Sequence, residues 1–461
     1  MRRRLSEEAA PPSSPPPASP GIDYLSHFGT ILLPNPRNAN FDGLAAHQNQ
    51  IVLAPSKADK IGVLDVQTAQ LSQVPMPGLT ANTARKKFSG AVNVNGVIVF
   101  VPFGASDIGM YDVVRSSFST IHIAPYMSAI EYKFSGAAVG TGGGSSSVLG
   151  RVYFAPYDHN EVGVLDLGQL SGSPFSTLSL PPGLGASSAR FSGAVASEGG
   201  EQVYFVPYNA DAVLVVNSAT NALSTIPLGG VGLGEFAKFQ GGTAVGGPTP
   251  RIFLAPFNHK AIGVVDVSSA SFSTVPIADS MAPTFAKYSG AAHHEGKVYF
   301  CPHYLDNVGI LDVDTYQFSY VPTMPAGASG PYKFSGAIAH YGSIYFAPRD
   351  NDAIGQLSPA PPPSPPPAPP PASPPQPPAV PPIAPAPSPP DHSAMMVPLV
   401  VGLSTFGLVA CLSCAYLILR AVRIRRNTRR RIEKHLISGG SASSSRPSSA
   451  ELPSRRKSTT L

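Results

Sequence analysis

The sequence predicts an all-β fold, a seven-bladed β-propeller, from three observations. An aromatic residue opens one pattern seven times, at spacings of 46 to 57 residues, a period typical of propellers and solenoids. In the first six copies four short runs rich in Val, Ile, Phe and Thr follow, and four strands make one blade. No run has the period of an amphipathic helix, which argues against a helical solenoid. The opening aromatics are Phe41, Phe88, Phe134, Phe191, Phe239, Tyr288 and Phe334.

The two ends of the repeat region predict that the ring closes. The seventh copy has only three strand-like runs before the proline-rich sequence begins. HFGTILLP at 27–34 has the pattern of a fourth strand, because Phe28 aligns with Phe272 and Thr30 with Thr274. We therefore expect an N-terminal strand to complete the last blade, which leaves no open joint in the ring.

The repeat resembles a known group of propellers. VYFVPYNADAVLVVNSATNALSTIPLG at 203–229 resembles the YVTN-type surface-propeller repeat, and the resemblance covers about residues 24–358. The chain is also similar, more loosely, to kelch repeats, although its second strand ends in Ala-Pro or Val-Pro and Trp is absent. The resemblance implies the fold but little about chemistry, because propellers serve as hydrolases, oxidases, lyases and binding proteins.

Two proline-rich segments flank the predicted propeller. Residues 1–23 form an N-terminal arm that we expect to be disordered, and residues 359–393 form a stalk. Between 359 and 390, 20 of 32 residues are Pro, which favours an extended polyproline II conformation. The SPPP and APPP units resemble the hydroxyproline-rich stalks of green algal and plant wall glycoproteins, which implies O-linked sugars on this segment.

The C-terminal part predicts a membrane anchor. Residues 394–419 carry no charged side chain and are long enough to cross a bilayer as one helix. Residues 420–461 form a Ser-rich tail, expected to be disordered, with 12 Lys or Arg against 2 Glu. The positive-inside rule predicts a single-pass protein of the plasma membrane or another endomembrane, with its N-terminus outside and its C-terminus in the cytosol.

Charge and targeting signals narrow the class of protein. Residues 21–390 hold 17 basic and 22 acidic side chains, so the basic excess lies in the tail and does not indicate nucleic-acid binding. The first residues, MRRRLSEEAAPPSS, contain no apolar stretch of a signal peptide. We expect either a leader that precedes this sequence or a membrane span that itself acts as the signal.

Six of the seven aromatics follow a basic residue. Equivalent charges around a pseudo-sevenfold axis would create a positive mouth that attracts an anionic ligand. The alternative is neutralisation by bridges between loops, because Asp59, Asp211, Asp306 and Asp352 stand four residues after the Pro that ends a second strand. The candidate ligand-binding ring consists of Lys87, Lys133, Arg190, Lys238, Lys287 and Lys333.

Two other repeated features have structural interpretations. The Ser-Gly-Ala after most aromatics indicates blades that crowd the axis, where Gly permits close backbone approach. The Asp that ends the third strand in five blades, and Asn217 in blade 4, predict Asx turns into the outer strand.

The densest group of reactive side chains is CPHY, with Cys301, His303 and Tyr304. A copper–radical oxidase on a kelch-type propeller would need a Cys-crosslinked Tyr, two His and a second Tyr, and no such set is recognisable. Hydrolase elbows, zinc motifs and phosphate loops are absent from the sequence. We therefore predict no catalytic residue, metal ligand or cofactor.

These observations favour a cell-surface binding module over an enzyme. Near-identical residues in each blade indicate a scaffold or a binder, whereas an enzyme should bring unlike polar residues to the mouth. The expected partner is an extracellular protein or a polysaccharide, and the C-terminal RRKSTTL fits the ligand pattern of a cytoplasmic PDZ-type partner. The alternatives are a hydrolase, lactonase or oxidase with its site at the axis, and a purely structural spacer.

Overall fold

A computed structural model of the chain describes ten segments, which contain 28 β-strands in seven four-stranded antiparallel sheets. Each sheet is one blade, so the predicted all-β, seven-bladed propeller is confirmed. The described residues are 25–34, 40–79, 86–123, 131–141, 150–169, 173–184, 188–232, 234–277, 285–323 and 330–359.

The strands follow the repeat. β1 is Leu25–Leu32, and blade 1 comprises β2 (Phe41–His47), β3 (Gln50–Pro55), β4 (Lys60–Asp65) and β5 (Gln70–Pro75). Blade 2 comprises β6 (Phe88–Val94), β7 (Val97–Pro102), β8 (Asp107–Asp112) and β9 (Ser117–His122). Blade 3 comprises β10 (Phe134–Gly140), β11 (Arg151–Pro156), β12 (Glu161–Asp166) and β13 (Phe175–Ser179). Blade 4 comprises β14 (Phe191–Ala196), β15 (Gln202–Pro207), β16 (Ala212–Asn217) and β17 (Leu223–Pro227), with a 3-10 turn at Glu198–Gly200.

The last three blades complete the ring. Blade 5 comprises β18 (Phe239–Val245), β19 (Arg251–Pro256), β20 (Ala261–Asp266) and β21 (Ser271–Pro276). Blade 6 comprises β22 (Tyr288–His294), β23 (Lys297–Pro302), β24 (Asn307–Asp312) and β25 (Phe318–Pro322). Blade 7 comprises β26 (Phe334–His340), β27 (Ser343–Pro348), β28 (Ala353–Pro359) and the N-terminal β1.

Ring closure occurs as predicted. β1 pairs antiparallel with β28, with Phe28 opposite Leu357 and Leu25 opposite Pro359. The innermost strands contact one another from β2 round to β26, which contacts β2 again. Pro359, the first residue of the predicted stalk, is therefore the last residue of a paired strand.

The segments that are predicted to flank the propeller lie outside the described residues. They are the N-terminal arm, the stalk after Pro359, the predicted span at 394–419 and the tail. Within the described part of the chain there is no helix of the length and apolarity that a membrane crossing requires.

The hydrophobic core lies between neighbouring blades. Tyr153 and Val164 of blade 3 pack against Phe191 and Phe205 of blade 4, and equivalent clusters join the other blades. Because both faces of the second and third strands are covered, these strands are almost continuously apolar, whereas outer strands alternate between exposed and half-buried residues. Packing of blade against blade thus holds the disc together.

The turns after the third strands confirm the predicted Asx turns. The carboxylate of Asp65 accepts hydrogen bonds from the backbone N–H groups of Gln67 and Thr68 at 3.0 and 2.9 Å. These bonds lower the pKa of Asp65, because they stabilise its ionised form. In blade 4 the side-chain oxygen of Asn217 accepts equivalent bonds.

A ring of seven glycines surrounds the axis and confirms the interpretation of Ser-Gly-Ala. Each glycine lies in a β-bulge of an innermost strand at a φ between 69° and 111°. A Cβ on Gly136 would lie 2.6 Å from the Cα of Gly193, which is closer than side chains tolerate. Only glycine combines this φ with so close an approach. The glycine ring consists of Gly43, Gly90, Gly136, Gly193, Gly241, Gly290 and Gly336.

Candidate functional site at the propeller mouth

The residue that follows the Pro of each second strand is held at the mouth of the axis by backbone hydrogen bonds. The N–H of Phe103 donates to the carbonyl of Lys87 in its own blade at 3.0 Å. The carbonyl of Phe103 accepts from the N–H of Lys133 in the next blade at 2.8 Å. The same bonds recur around the propeller, so these positions are fixed whatever their side chains are. This mouth ring consists of Ser56, Phe103, Tyr157, Tyr208, Phe257, His303 and Arg349.

Five members of the mouth ring form a continuous aromatic arc over blades 2 to 6. From Phe103 to His303 the successive ring centroids are 5.4, 5.9, 5.7 and 5.4 Å apart. The angles between successive ring planes are 63°, 46°, 49° and 46°. A sevenfold rotation is about 51° per blade, so the rings follow the pseudo-symmetry and form a curved wall. Tyr132 stacks on Phe103 at one end, and Tyr332 contacts His303 edge-on at the other.

Cations fill the gap that the arc leaves. Arg349 of blade 7 and Lys86, two residues before the opening aromatic of blade 2, line this side of the cavity with Asp42. Burial lowers the pKa of Lys86, while Asp42 acts in the opposite direction and the Arg349 charge adds to the lowering. Among the described residues, no carboxylate lies within ion-pair distance of Arg349 or Lys86.

A ring of small polar side chains forms the floor. Ser135 shares hydrogen bonds with Ser89 at 3.3 Å and with Ser192 at 3.0 Å. On the other side Ser335 donates to the buried carboxylate of Asp42 at 2.5 Å. The glycine ring lies at the same level of the axis, and its glycines line a narrow axial space with these side chains. The floor ring consists of Asp42, Ser89, Ser135, Ser192, Gln240, Ser289 and Ser335.

The wall, the gap and the floor enclose an axial cavity of about 390 Å³. This volume is within the range of small-molecule sites in proteins. The lining combines aromatic rings, two cations, one carboxylate and a set of hydroxyl and amide groups. Such a lining can contact the apolar faces of a ligand, pair with an anionic group and exchange hydrogen bonds with hydroxyls.

The six residues of the candidate ligand-binding ring, hereafter the basic ring, lie elsewhere. Five of them, all lysines, are buried, and none of the six lines the axial cavity. The Nζ of Lys333 donates to the carbonyls of Tyr304 and Gly330 at 3.1 and 2.7 Å, and to Asp306 at 2.8 Å. The Nζ of Lys238 lies 3.6 Å from Asp211. These two lysines form the bridges between loops that were the alternative to a ligand-binding ring.

Lys287 has a second lysine at the position where Lys238 and Lys333 have an aspartate. The position that holds Asp211 or Asp306 in the neighbouring blades holds Lys260 here. The Nζ of Lys287 donates to the carbonyl of Asn258 at 3.0 Å. Burial lowers the pKa of Lys287 to about 8; Glu235 opposes the shift and Lys260 adds to it. The blade thus keeps its buried lysine without the bridging aspartate.

The side chain of Arg190, the one arginine of the six, is only half-buried and faces another cavity. This second cavity, of about 500 Å³, lies between blades 3 and 4 and includes Leu180, Pro182 and Leu184. Arg190 therefore lines this second cavity and not the axial cavity.

Cys301, His303 and Tyr304 do not converge. Cys301 is fully buried between blades 6 and 7 among Phe346 and Tyr299, and burial raises the pKa of its thiol. Tyr304 is about half exposed at the rim. His303 alone lines the axial cavity, and its Nδ1 donates to the carbonyl of Phe334 at 2.7 Å. Burial lowers the pKa of His303 to about 4, so its ring is neutral at pH 7. Its Nε2 is then a hydrogen-bond acceptor.

In the described part of the chain no group of three or more His, Cys, Asp or Glu side chains is arranged to hold a metal ion. Other histidines of the described residues contact single neighbours; His259, for example, lies 2.7 Å from Glu235, and His122 lies 2.7 Å from Asp107.

Sequence reasoning missed the mouth ring. The sequence did contain a signal, because the residue after the second-strand Pro varies while the residues around it repeat. From blade 1 to blade 7 this residue is Ser, Phe, Tyr, Tyr, Phe, His and Arg. Variation from blade to blade, which was expected of an enzyme and not of a binder, is therefore present one residue after a repeated proline.

Comparison with known proteins shows the fold. No protein-family model and no curated protein matches the sequence. Among solved structures, a streptogramin B lyase is similar with a TM-score of 0.56 and 15% identity, over 73% of this chain and 99% of that one. Selenomethionine-substituted virginiamycin B lyase from Staphylococcus aureus gives a TM-score of 0.56 and 15% identity, over 72% of this chain and 99% of the other. A catalytically inactive His-to-Ala variant of that lyase with quinupristin gives 0.55 and 14%, over the same shares. At these identities the similarity concerns the fold alone.

Proposed function

We propose that the chain is a single-pass membrane protein that presents its propeller outside the cytosol as a binding module, and that the ligand enters the axial cavity. The observation that carries the proposal is the aromatic character of the mouth ring. Four of its six side chains that line the cavity are Phe or Tyr, so they vary mainly among aromatic residues and not among the unlike polar residues expected of an enzyme. Six of the seven mouth-ring residues line the cavity, where aromatic, basic and neutral imidazole groups face one space. An extracellular protein or a polysaccharide is the partner class.

The geometry of the mouth favours binding without rearrangement. Each mouth-ring residue is held by two backbone hydrogen bonds, one within its blade and one to the next, over blades 2 to 6. Preorganised groups spare a ligand the entropic cost of ordering them. Aromatic and Arg side chains in a largely desolvated pocket are also the residues that most often dominate binding energy.

The test of the binding proposal uses the purified full-length protein on arrays of glycans and of peptides. We expect a bound class of ligand whose signal falls at least tenfold in the Tyr208→Ala/Phe257→Ala double variant. Tyr320 and Tyr341 are exposed aromatics that do not line the cavity, so Tyr320→Ala/Tyr341→Ala is the matched control. Binding that the control variant reduces as strongly as the cavity variant does would refute a site at the mouth.

The membrane placement rests on the sequence. The uncharged stretch 394–419 and the 12 basic residues after it support a plasma-membrane or other endomembrane location, with the propeller outside. Protease added to intact cells should remove an epitope inserted before residue 25 and spare one added after residue 461. Loss of both epitopes, or of the C-terminal one alone, would contradict this topology.

The tail supports a second, cytosolic contact. Thr459, Thr460 and Leu461 fit a PDZ-ligand pattern, and we propose a PDZ-type partner for them. A peptide of the last ten residues should bind such a domain, and the same peptide with Leu461→Asp should not. Equal binding of both peptides would exclude this mode.

An enzyme acting at the axis is the second candidate, and two observations favour it: the mouth ring varies from blade to blade, and His303 lines the cavity. Its imidazole is neutral and lines the cavity, and the solved structures of similar fold include lyases. The pKa of about 4 argues against it, because a general base works best when its pKa is near the working pH. A panel of ester, lactone, glycoside and oxidase substrates tests this function. Turnover that His303→Gln abolishes and His122→Gln, an exposed control, retains would establish it.

A further inference from the structure

Building on the proposed function, we infer that the axial cavity binds an anionic pyranose unit, a sugar ring that carries a carboxylate or a sulfate. Arg349 and Lys86 hold its anionic group, the floor ring bonds to its hydroxyls, and the aromatic arc contacts its apolar face. This assigns the glycan rather than the protein as the partner.

The first argument is the balance of charge in the cavity. Lys86 and Arg349 carry two positive charges, Asp42 carries one negative charge, and His303 is neutral at pH 7. The net excess is one positive charge, and both cations lie in the gap between the ends of the arc. Partly buried charges act through a lower effective dielectric than exposed ones, so an anion is attracted to this gap. The planar guanidinium of Arg349 can pair with a carboxylate or a sulfate through two parallel bonds.

The second argument is the shape of the wall. Centroid spacings of 5.4 to 5.9 Å between neighbouring blades correspond, in a sevenfold ring, to centroids about 6 to 7 Å from the axis. Allowing for the thickness of the rings, the clear width is under about 10 Å, which is too narrow for an α-helix with its side chains. One sugar ring or one extended segment fits.

The third argument is the floor ring, whose polar groups favour an anionic sugar over an apolar acid as the ligand. Three hydroxyls of the floor ring, those of Ser89, Ser135 and Ser192, line the cavity with the Gln240 amide and Asp42. The hydroxyl and amide groups can donate and accept, and the carboxylate accepts. A fatty or aromatic acid would cover these groups without replacing the hydrogen bonds they make to water, which costs free energy for each unpaired group. A pyranose offers several hydroxyls that can exchange hydrogen bonds with these groups.

The fourth argument is the placement of the parts. In a ring of seven blades, blade 7 stands opposite blades 3 and 4. Arg349 therefore faces Tyr157 and Tyr208 across the axis. A ligand whose anionic group is at one end and whose carbon–hydrogen face is at the other spans this arrangement. Partly positive C–H groups are attracted to the negative face of an aromatic ring.

The test is calorimetric titration of the full-length protein with matched sugars. The probes are glucuronate- and galacturonate-terminated disaccharides, a 6-sulfated galactose disaccharide, and the neutral glucose- and galactose-terminated counterparts. We expect the anionic sugars to bind at least tenfold more tightly than their neutral counterparts. The order of uronate and sulfate then identifies the anionic group.

Two variants locate the anion. Arg349→Gln should reduce the affinity for the anionic sugars about tenfold and leave that for the neutral sugars unchanged, and Lys86→Gln should act in the same direction. Arg349 is only half-buried and its side chain makes no ion pair within the described residues, so folding should be preserved. Arg115→Gln, whose side chain is 79% exposed in a turn outside the cavity, is the control of equal charge change.

The outcomes that overturn the inference are distinct from those that overturn the proposed function. Equal affinity for anionic and neutral sugars, or anion binding that Arg349→Gln does not alter, refutes the anionic-sugar assignment and leaves the mouth as a site. A peptide ligand sensitive to Tyr208→Ala/Phe257→Ala, with no sugar bound, has the same consequence. Binding that no cavity variant changes refutes both.

Discussion

The basic ring and the mouth ring are neighbours in space with opposite characters. In the basic ring the residue type hardly changes from blade to blade, and its five lysines are buried; Lys333 and Lys238 bond to backbone carbonyls and an aspartate. In the mouth ring the residue type changes at almost every blade, and six side chains line a cavity. Both are positioned by the same backbone hydrogen bonds. The residues that repeat from blade to blade stabilise the propeller, and the residues that vary from blade to blade line its axial cavity.

The largest effect that tests this comparison is expected in the glycine ring. Gly136→Ala should lower the free energy of unfolding by about 3 to 5 kcal/mol or prevent folding, because the new Cβ meets the backbone of Gly193 and φ is 85°. Gly183→Ala separates the causes, since Gly183 has a φ of 84° and no atom near its missing Cβ. It should cost only about 1 kcal/mol in chemical denaturation. Equal losses of unfolding free energy in the two variants would show that the glycines are needed for their positive φ and not because neighbouring blades crowd them.

The next effect concerns a buried lysine with its aspartate. Lys333→Met should destabilise the protein by about 2 kcal/mol, because it leaves two carbonyls and Asp306 without their donor. The figure is kept low because the side chain of Asp306 is 56% exposed and can be solvated by water. Lys60→Met, at an exposed position, is the control for the loss of one charge. Denaturation midpoints that agree for the two variants would show that the buried lysine is not structural.

A smaller effect should follow from placing an aspartate beside Lys287, at position 260. The pKa of Lys287 is about 8 in the folded chain against 10.5 ordinarily, so the unfolded chain binds more protons between these values. Its burial therefore costs stability below pH 8, and the cost disappears as the pH rises to 10.5. Lys260→Asp should raise the folded pKa of Lys287 and increase the free energy of unfolding at pH 7 by about 1 kcal/mol.

The pH dependence provides the check on that variant. The gain from Lys260→Asp should be largest near pH 7 and shrink by pH 10, and the difference between the two proteins cancels the titration of other groups. Lys60→Asp makes the same charge change at an exposed site in blade 1 and should give no pH-dependent gain. A gain of equal size at pH 7 and pH 10 would exclude Lys287 as its source.

The smallest effect on stability is expected in the mouth ring. Arg349→Gln should change the free energy of unfolding by less than about 0.5 kcal/mol, because the guanidinium makes no ion pair with a described residue and Arg349 is only half-buried. Thermal unfolding of the ligand-free protein measures this. A loss comparable to that of Lys333→Met would place Arg349 among the structural residues and remove the contrast between the rings.

The sequence predicted the parts of the fold that repeat. The spacing of the aromatics gave seven blades, and the likeness of the segment around Phe28 to that around Phe272 gave the closing strand. It also offered Lys–Asp bridges as one of two alternatives, and Lys333 with Asp306 forms one. These features could be predicted because they follow from local sequence patterns that recur from blade to blade.

The site could not be predicted in the same way because its direction is set by a bulge. In blade 3, Phe134 pairs with Pro156 but Ala137 pairs with Phe154, so the inner strand has one extra residue. The extra residue breaks the alternation of side chains between the two faces of the strand. Alternation therefore does not tell whether Lys133 or Tyr157 faces the axis, and Tyr157 does. In the sequence alone, a position whose side chain varies among the blades cannot be distinguished from an ordinary turn residue. Only the folded ring shows that these side chains face one cavity.

The pairing of Leu25 with Pro359 has a mechanical consequence. Because β1 and β28 are antiparallel, the chain enters and leaves the propeller at the same end of one ladder. Tension that separates residues 25 and 359 would load the ladder at its end and break its bonds one after another. Tension between residue 359 and a ligand held at the axis would pass along β28 into blade 7 and load the neighbouring strands together, in shear. We therefore expect the β1–β28 pairing to resist weakly a force that separates residues 25 and 359, and to resist strongly a force between residue 359 and the axis.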